Sequence, residues 1–520
     1  MRKIVSFILA AMITLSTAAC APRETESLKT EPILERSSSE SVYGGELPAA
    51  DEEVVLDESL NQSSSESSEP NPSEPAADSS SEDSSESVAE SSSEVSSEMA
   101  ESSEEMAESS EASAVESSSE PETQKSMQET PKSESSQVVL PVSSSQAQNT
   151  EVTEVLASKP IYNKVRAIWF SYLTLEPMIK NKSEAQFTDN IDQAFANAAD
   201  LGFNTVFVHV RPFGDALYKS SYYPWSYLLN GTEGENPGYD PLKIMCQLAD
   251  SHGLRIEAWI NPYRVRNSAG RPMSSDNQAK KWLNSGNDAV LEWNGGIYYN
   301  PGSENARKLI INGVKEIVKK YNVDGIHFDD YFYPTTDLSF DKATYLASGS
   351  SKSQADWRRE NVNILVRQVY SAIKNIDTSC VFGISPQGNT NNNYDVQFID
   401  CAKWLANKGY VDYICPQIYF GFENSGHPFA EMVDTWNRMI KVSGIDLYIG
   451  LAAYKLGQTD DWAGAGKNEW IDTSDILARM VKTARSASHY GGVAVYSYES
   501  LYRNNSAQIK TEKANLKKLF

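Results

Sequence analysis

Residues 323–334 read VDGIHFDDYFYP, and the alternation inside them decides the fold. Ile326 and Phe328 are apolar, while Gly325, His327 and Asp329 are not. A β-strand here therefore turns one face to an apolar layer and the other to a polar interior. Seven more runs share this character: 165–173, 204–212, 254–264, 379–388, 411–420, 445–454 and 491–500. Helical patterns follow the strands, such as SEAQFTDNIDQAFANAADLGF (183–203) after the first and SENARKLIINGVKEIVKKYN (303–322) after the third. Eight β/α units over residues 164–520 predict an α/β fold of the closed (β/α)8 TIM-barrel kind. An open doubly wound sheet is the alternative, but SYLTLEPM (171–178) lacks the Gly-rich phosphate turn such a sheet carries after its first strand.

Strand parity extends from 323–334 to the other strands. It turns Phe207, His209 and Arg211 inward from the second strand, and Glu257, Trp259, Asn261 and Tyr263 from the third. The fourth adds Gly325, His327 and Asp329, the fifth Ser385 and Gln387, the sixth Gln417 and Tyr419, and the seventh Tyr454. Barrel interiors are usually filled by Val, Ile and Leu, so this many polar groups need mutual hydrogen bonds. Their polarity gathers at the C-terminal strand ends, where barrel enzymes place their chemistry. Glu257 and His209 lie deeper than the rim, and a buried pairing with Arg211 or His327 is expected of them rather than catalysis.

Asp329 and Asp330, followed by Tyr331, form the sharpest constellation. Adjacent carboxylates resist ionising together, which leaves one as a proton donor and the other as an anion. A lone Asp-Asp is elsewhere a solvated turn or a helix cap; the inward direction of Asp329 above His327 favours function here. The loop RPFGDALYKSSYYPWSYLLNG (211–231) is rich in rings, namely Tyr218, Tyr222, Tyr223, Trp225 and Tyr227. These suit either the flat faces of sugars, with Asp215 and Arg211 available for hydroxyls or a carboxylate, or a lid packed on the barrel. Glu499 is a candidate second carboxylate with ambiguous parity. Lys455, after Tyr454, is a candidate for an anionic group or a solvated strand end. Arg264 closes the third strand as a further substrate-binding candidate.

Composition narrows the partners. The chain carries a formal net charge of −25, yet residues 21–160 hold 33 acidic and 6 basic residues and residues 161–520 hold 38 of each. The barrel is neutral, no basic groove is implied, and a nucleic-acid partner is not expected. No Lys or Arg occurs between Arg36 and Lys125, and repeats such as SSSEDSSESVAESSSE cannot bury enough apolar surface to order themselves, so 21–160 reads as a disordered Ser/Glu-rich linker. Residues 1–20, MRKIVSFILAAMITLSTAAC, join two cations to a short apolar run and small residues before Cys20. That is an export signal, and TAAC resembles a lipobox with Thr17 in place of the preferred Leu. Cys20 is then the lipidated residue, and a lipid alone holds the protein on the outer face of a bacterial membrane. The other cysteines, Cys246, Cys380, Cys401 and Cys415, show no CxxC pair and read as core residues. Five histidines without an HxH pair give a metal-dependent barrel hydrolase no ligand set, so no metal or cofactor is expected.

The segments RAIWFSYL, GFNTVFVHVRPFGDALY, PGYDPL, AWINPYRV, YYNPG, VDGIHFDDYFYP, ISPQGN, VDYICPQIYF and GLAAYK, in this order, resemble the glycosyl-hydrolase-like family 10 domain of bacterial envelope proteins. The resemblance covers residues 164 to about 503 and leaves out the Ser/Glu stretch. It implies a TIM barrel with glycosidase activity on an envelope polysaccharide. For some members this is cleavage between N-acetylmuramic acid and N-acetylglucosamine in peptide-stripped peptidoglycan strands. On that footing Asp330 is expected to protonate the leaving oxygen and Asp329 to polarise a 2-acetamido group that attacks the anomeric carbon. Direct displacement with a partner such as Glu499 is the competing mechanism. A non-catalytic glycan-binding surface lipoprotein is the competing function.

Overall fold

The computed structural model describes residues 164–520 apart from Ala269 and Asn504. The expected export signal, Cys20 and the 21–160 linker lie outside the described residues. Eight parallel strands close the barrel: β1 (Val165–Phe170), β2 (Thr205–Arg211), β3 (Arg255–Ile260), then β7 (Gly325–Phe328), β8 (Val381–Ile384), β9 (Tyr413–Ile414), β10 (Asp446–Ala452) and β11 (Tyr490–Tyr496), which pairs back to β1. Between β3 and β7 lies a small antiparallel sheet of β4 (Arg264–Arg266), β5 (Val290–Trp293) and β6 (Gly296–Tyr299), in the order β4-β6-β5.

The helices form for local reasons and bury one stripe each. Glu184–Leu201 starts at a capping box between Ser183 and Gln186 and ends at Gly202, whose φ of 100° suits a residue without a Cβ. Its buried residues Phe187, Ile191, Ala194, Phe195, Ala198 and Leu201 recur at helical spacing. Phe195 meets Phe170 of β1 edge-on at 5.4 Å. Inside the barrel a separate cluster fills the lumen with rings, including Trp169, Phe207, Trp259, Tyr413 and Tyr448. Tyr413 stacks on Tyr448 at 4.2 Å. It fits because β8 carries Gly383: a Cβ there would lie 2.0 Å from the Tyr413 ring. The four described cysteines are buried and unbridged.

Several sequence expectations about strand ends and partners change. The third strand stops at Ile260, so Tyr263 leaves the inward alternation and packs in the outer core against Phe332 at 6.2 Å. β2 contains a register shift, with His209 opposite Trp259 and Arg211 opposite Ile260. The extra residue reverses the alternation, and Arg211 turns outward like Ile260. Its guanidinium sits 4.7 Å over the Tyr223 ring and donates to the carbonyls of Phe213 and Pro262. β9 is two residues long instead of ten, since Pro416 has no N–H to continue the ladder. The β5–β6 hairpin lies outside the eight expected strands; its turn, Asn294-Gly295 at φ 46° and 75°, is a strong two-residue turn signal.

Candidate active site

A cleft opens at the C-terminal end of the barrel, where barrel enzymes place their chemistry. Trp169, Trp259 and His209 line it together with Asp329, Asp330 and Tyr331 from the end of β7. Ser171, Tyr172, Asn261, Arg264, Gln417, Tyr419 and Tyr496 also line it.

The carboxylates are held by donors from four different segments. The Trp259 indole donates to Asp329 Oδ2 at 3.2 Å and also to Asn261 Oδ1 at 3.1 Å. The Tyr331 amide donates to Asp329 Oδ1 at 3.1 Å. Asp330 accepts from the side chains of Gln417, at 3.3 Å, and Gln387. Burial pushes the Asp329 carboxyl up to about 7, the charge of Asp330 adds to the rise, and Arg264 opposes it. Burial also raises Asp330, against the two glutamine donors. Removal from water and mutual repulsion thus leave the pair with one proton over a range where free aspartates have none.

Beneath the carboxylates runs a buried chain of hydrogen bonds. The Trp169 indole, which can only donate, points at His327 Nε2 at 3.2 Å, with Ser385 Oγ 2.9 Å from the same nitrogen. The imidazole proton therefore sits on Nδ1, 2.7 Å from the Tyr413 hydroxyl, and Tyr413 donates in turn to Glu257 Oε2 at 2.6 Å. Burial lowers His327 to about 3 and keeps it neutral. Glu257 is raised to about 7 by burial, with Arg255 3.9 Å away. His209 stacks on Trp259 at 3.7 Å and bonds Asn261 Oδ1 at 3.0 Å. The expected partners of these two residues are corrected: Glu257 pairs with Tyr413 and Arg255, and His209 with Asn261.

Of the residues predicted as candidates, the cleft gathers Asp329, Asp330, Tyr331, Asn261, Arg264, Gln417 and Tyr419. His327 and Gln387 support that wall from behind. Five others stand elsewhere. Arg211 and Tyr263 lie in the outer packing. Asp215 is buried and accepts from the Tyr227 amide at 3.1 Å, fixing the loop. Tyr454 and Lys455 fall in a short 3-10 turn after β10, where Lys455 pairs with Asp460 at 3.0 Å. None of the loop rings from Tyr218 to Tyr227 lines the cleft; Tyr223, for instance, packs beside Gly313 of the 304–320 helix. The packed-lid alternative describes this loop. Glu499 lies in the helix Tyr498–Tyr502, paired with Arg503, and does not line the cleft. The sequence did not single out Ser171, Tyr172 or Tyr496, although the parity of Trp169 and Ala494 on the first and last strands points at Ser171 and Tyr496.

The model of the family described as glycosyl hydrolase-like 10 matches residues 164–465. The glycosyl hydrolase YngK of Bacillus subtilis is 33% identical over 351 residues, covering 63% of this chain and 68% of that protein. The glycosyl hydrolase DigH of Escherichia coli O6:H1 is 36% identical over 321 residues, covering 54% of this chain and 71% of that protein. Among solved structures, the PgaB (BpsB) glycoside hydrolase domain from Bordetella bronchiseptica aligns over 69% of this chain and 99% of its own, with a TM-score of 0.44 and 14% identity.

Proposed function

Because the chain belongs to the glycosyl hydrolase-like 10 family, we propose that it hydrolyses O-glycosyl bonds of an envelope glycan, with Asp329 and Asp330 supplying the acid and the anion. The observation that carries this reading is the paired carboxylates in a ring-lined cleft with burial-raised proton affinity. The substrate we propose is the glycan strand of peptidoglycan after its stem peptides are removed, cut between N-acetylmuramic acid and N-acetylglucosamine. Tyr172, Tyr419, Tyr496 and Trp259 supply apolar faces for sugar rings, and Asn261 and Gln417 supply polar groups for hydroxyls.

The pair needs help from the substrate. Among the described residues lining the cleft, Asp329 and Asp330 are the only carboxylates, which leaves a two-sided displacement without its opposite partner. In the reading we favour, the 2-acetamido oxygen attacks the anomeric carbon as the bond to the leaving oxygen breaks. One aspartate gives that oxygen a proton, and the other, ionised, steadies the positive charge on the acetamido nitrogen. Water then opens the cyclic intermediate and returns the proton. Burial raises both carboxyls and the charge of either opposes ionisation of the other, so the pair shares one proton, with Asp330 kept as the acid and Asp329 as the anion in this reading. Incubating the protein with oligosaccharides that carry or lack the 2-acetamido group tests this. Cleavage with retention of the first alone supports it; equal cleavage of both, or inversion, refutes it.

Residues 1–20 support a place outside the membrane. We propose export, acylation of Cys20 and a spacer at 21–160 that carries the 164–520 domain toward wall glycan. Labelled fatty acid should enter the wild type and not Cys20→Ala.

A further inference from the structure

Among the described cleft-lining residues, Arg264 is the one permanent cation; burial holds His209 far below its usual pKa, and it stays neutral. Arg264 is also unusually well fixed. It opens β4, and its Nε donates to the Pro212 carbonyl at 3.1 Å, which anchors the inner edge of the guanidinium. The group lies 4.8 Å over the Tyr331 ring, 4.9 Å over Phe213 and 5.8 Å over Tyr172. Among the described residues it forms no ion pair, whereas the buried Arg358 is paired with Asp341 at 2.6 Å. A guanidinium stacked between rings has lost part of its hydration, and its outer edge keeps the two parallel N–H groups that fit a carboxylate.

Resting on the proposed glycan hydrolysis, we propose that Arg264 selects the substrate by binding a free carboxylate on the sugar seated beside Tyr331, so that acidic glycan is taken and glycan whose carboxylate is tied up as an amide is refused. The wall around Arg264 fits this. Tyr172 and Tyr331 line the same cleft as Asp329 and Asp330, which puts the guanidinium beside the carboxylates proposed to act on the glycosidic bond. An amide at that position removes the negative charge with which the guanidinium would pair. A neutral N-acetylglucosamine polymer offers it nothing.

The test uses the full chain and one glycan preparation in two forms: muramic-acid-containing strands with free carboxylates, and the same strands after carbodiimide amidation with ammonia. Wild type should show a kcat/KM ratio of at least about tenfold in favour of the free acid, carried mainly by KM. Arg264→Met should bring the ratio close to one, and Arg264→Lys should retain part of it. Calorimetric binding of both strands to Asp330→Asn reads the same preference without turnover. A wild-type ratio near one, or a ratio that survives Arg264→Met in the folded variant, overturns the proposal. Absent hydrolysis with a persisting preference in binding would sink the hydrolase reading and leave this one standing.

Discussion

Glu257 and Asp329 are two buried carboxyls of one barrel interior, and burial raises both to about 7. Glu257 faces Gly325 at the start of β7, and Asp329 follows Phe328 at its end. Their surroundings separate them. Glu257 is closed in by Tyr413 and Arg255, while Asp329 opens on the cleft with a second carboxylate against it. Removal from water creates a proton-holding acid at either place; only the mouth joins it to space for a substrate and to a neighbour that pushes the two proton affinities apart.

The largest expected contrast lies in turnover. Asp329→Asn and Asp330→Asn should each lower kcat on an acetamido glycan by about 10²–10⁴-fold while circular dichroism stays native. Glu257→Gln should keep most of the activity, and an equal loss from that variant would erase the distinction between base and mouth.

The second contrast is in stability against pH. The folded protein holds a proton on Glu257 that the unfolded chain releases near 4.5, so stability is full below about 4.5 and falls as pH rises through about 7. The shift corresponds to about 3 kcal/mol, and Glu257→Gln should flatten that part of a denaturant-midpoint profile. A profile unchanged by the substitution would mean Glu257 is ionised in the native state. Gly383→Ala should cost about 1–3 kcal/mol by driving a methyl into Tyr413, the residue on which Glu257 depends. Thermal melts read that loss directly.

The smallest effect is a displacement of the pH–rate curve. Activity should decline as pH rises through about 7, where the Asp329–Asp330 pair loses the proton it donates. Since Arg264 holds that proton affinity down, Arg264→Met should move the alkaline limb upward; a downward move would assign the limb to another group.

Asp329, Asp330 and Tyr331 were legible because Ile326 and Phe328 fix the phase of their strand and FDDY stands at its end. Asn261, Gln417 and Tyr419 were legible for the same reason, whereas the phase of the third strand points Tyr263 inward instead of Arg264, which reaches the cleft by opening a side strand. Arg211 was not, since the bulge that turns it outward follows from the pairing of β2 with β3 and leaves no mark in composition. Lys455 was misread because its partner, Asp460, comes from the loop beyond its strand. The roles within the aspartate pair are set by charges that meet only in the folded state, the Arg264 guanidinium and the amides of Gln387 and Gln417 among them.

Glycan hydrolysis by the Asp329–Asp330 pair is tested most directly by counting new reducing ends released from peptide-stripped glycan strands by the wild type, Asp329→Asn and Asp330→Asn. The account predicts steady release by the wild type and almost none by either variant, with all three still binding the strands. Release by either variant at the wild-type rate, or binding without release by the wild type, would contradict it.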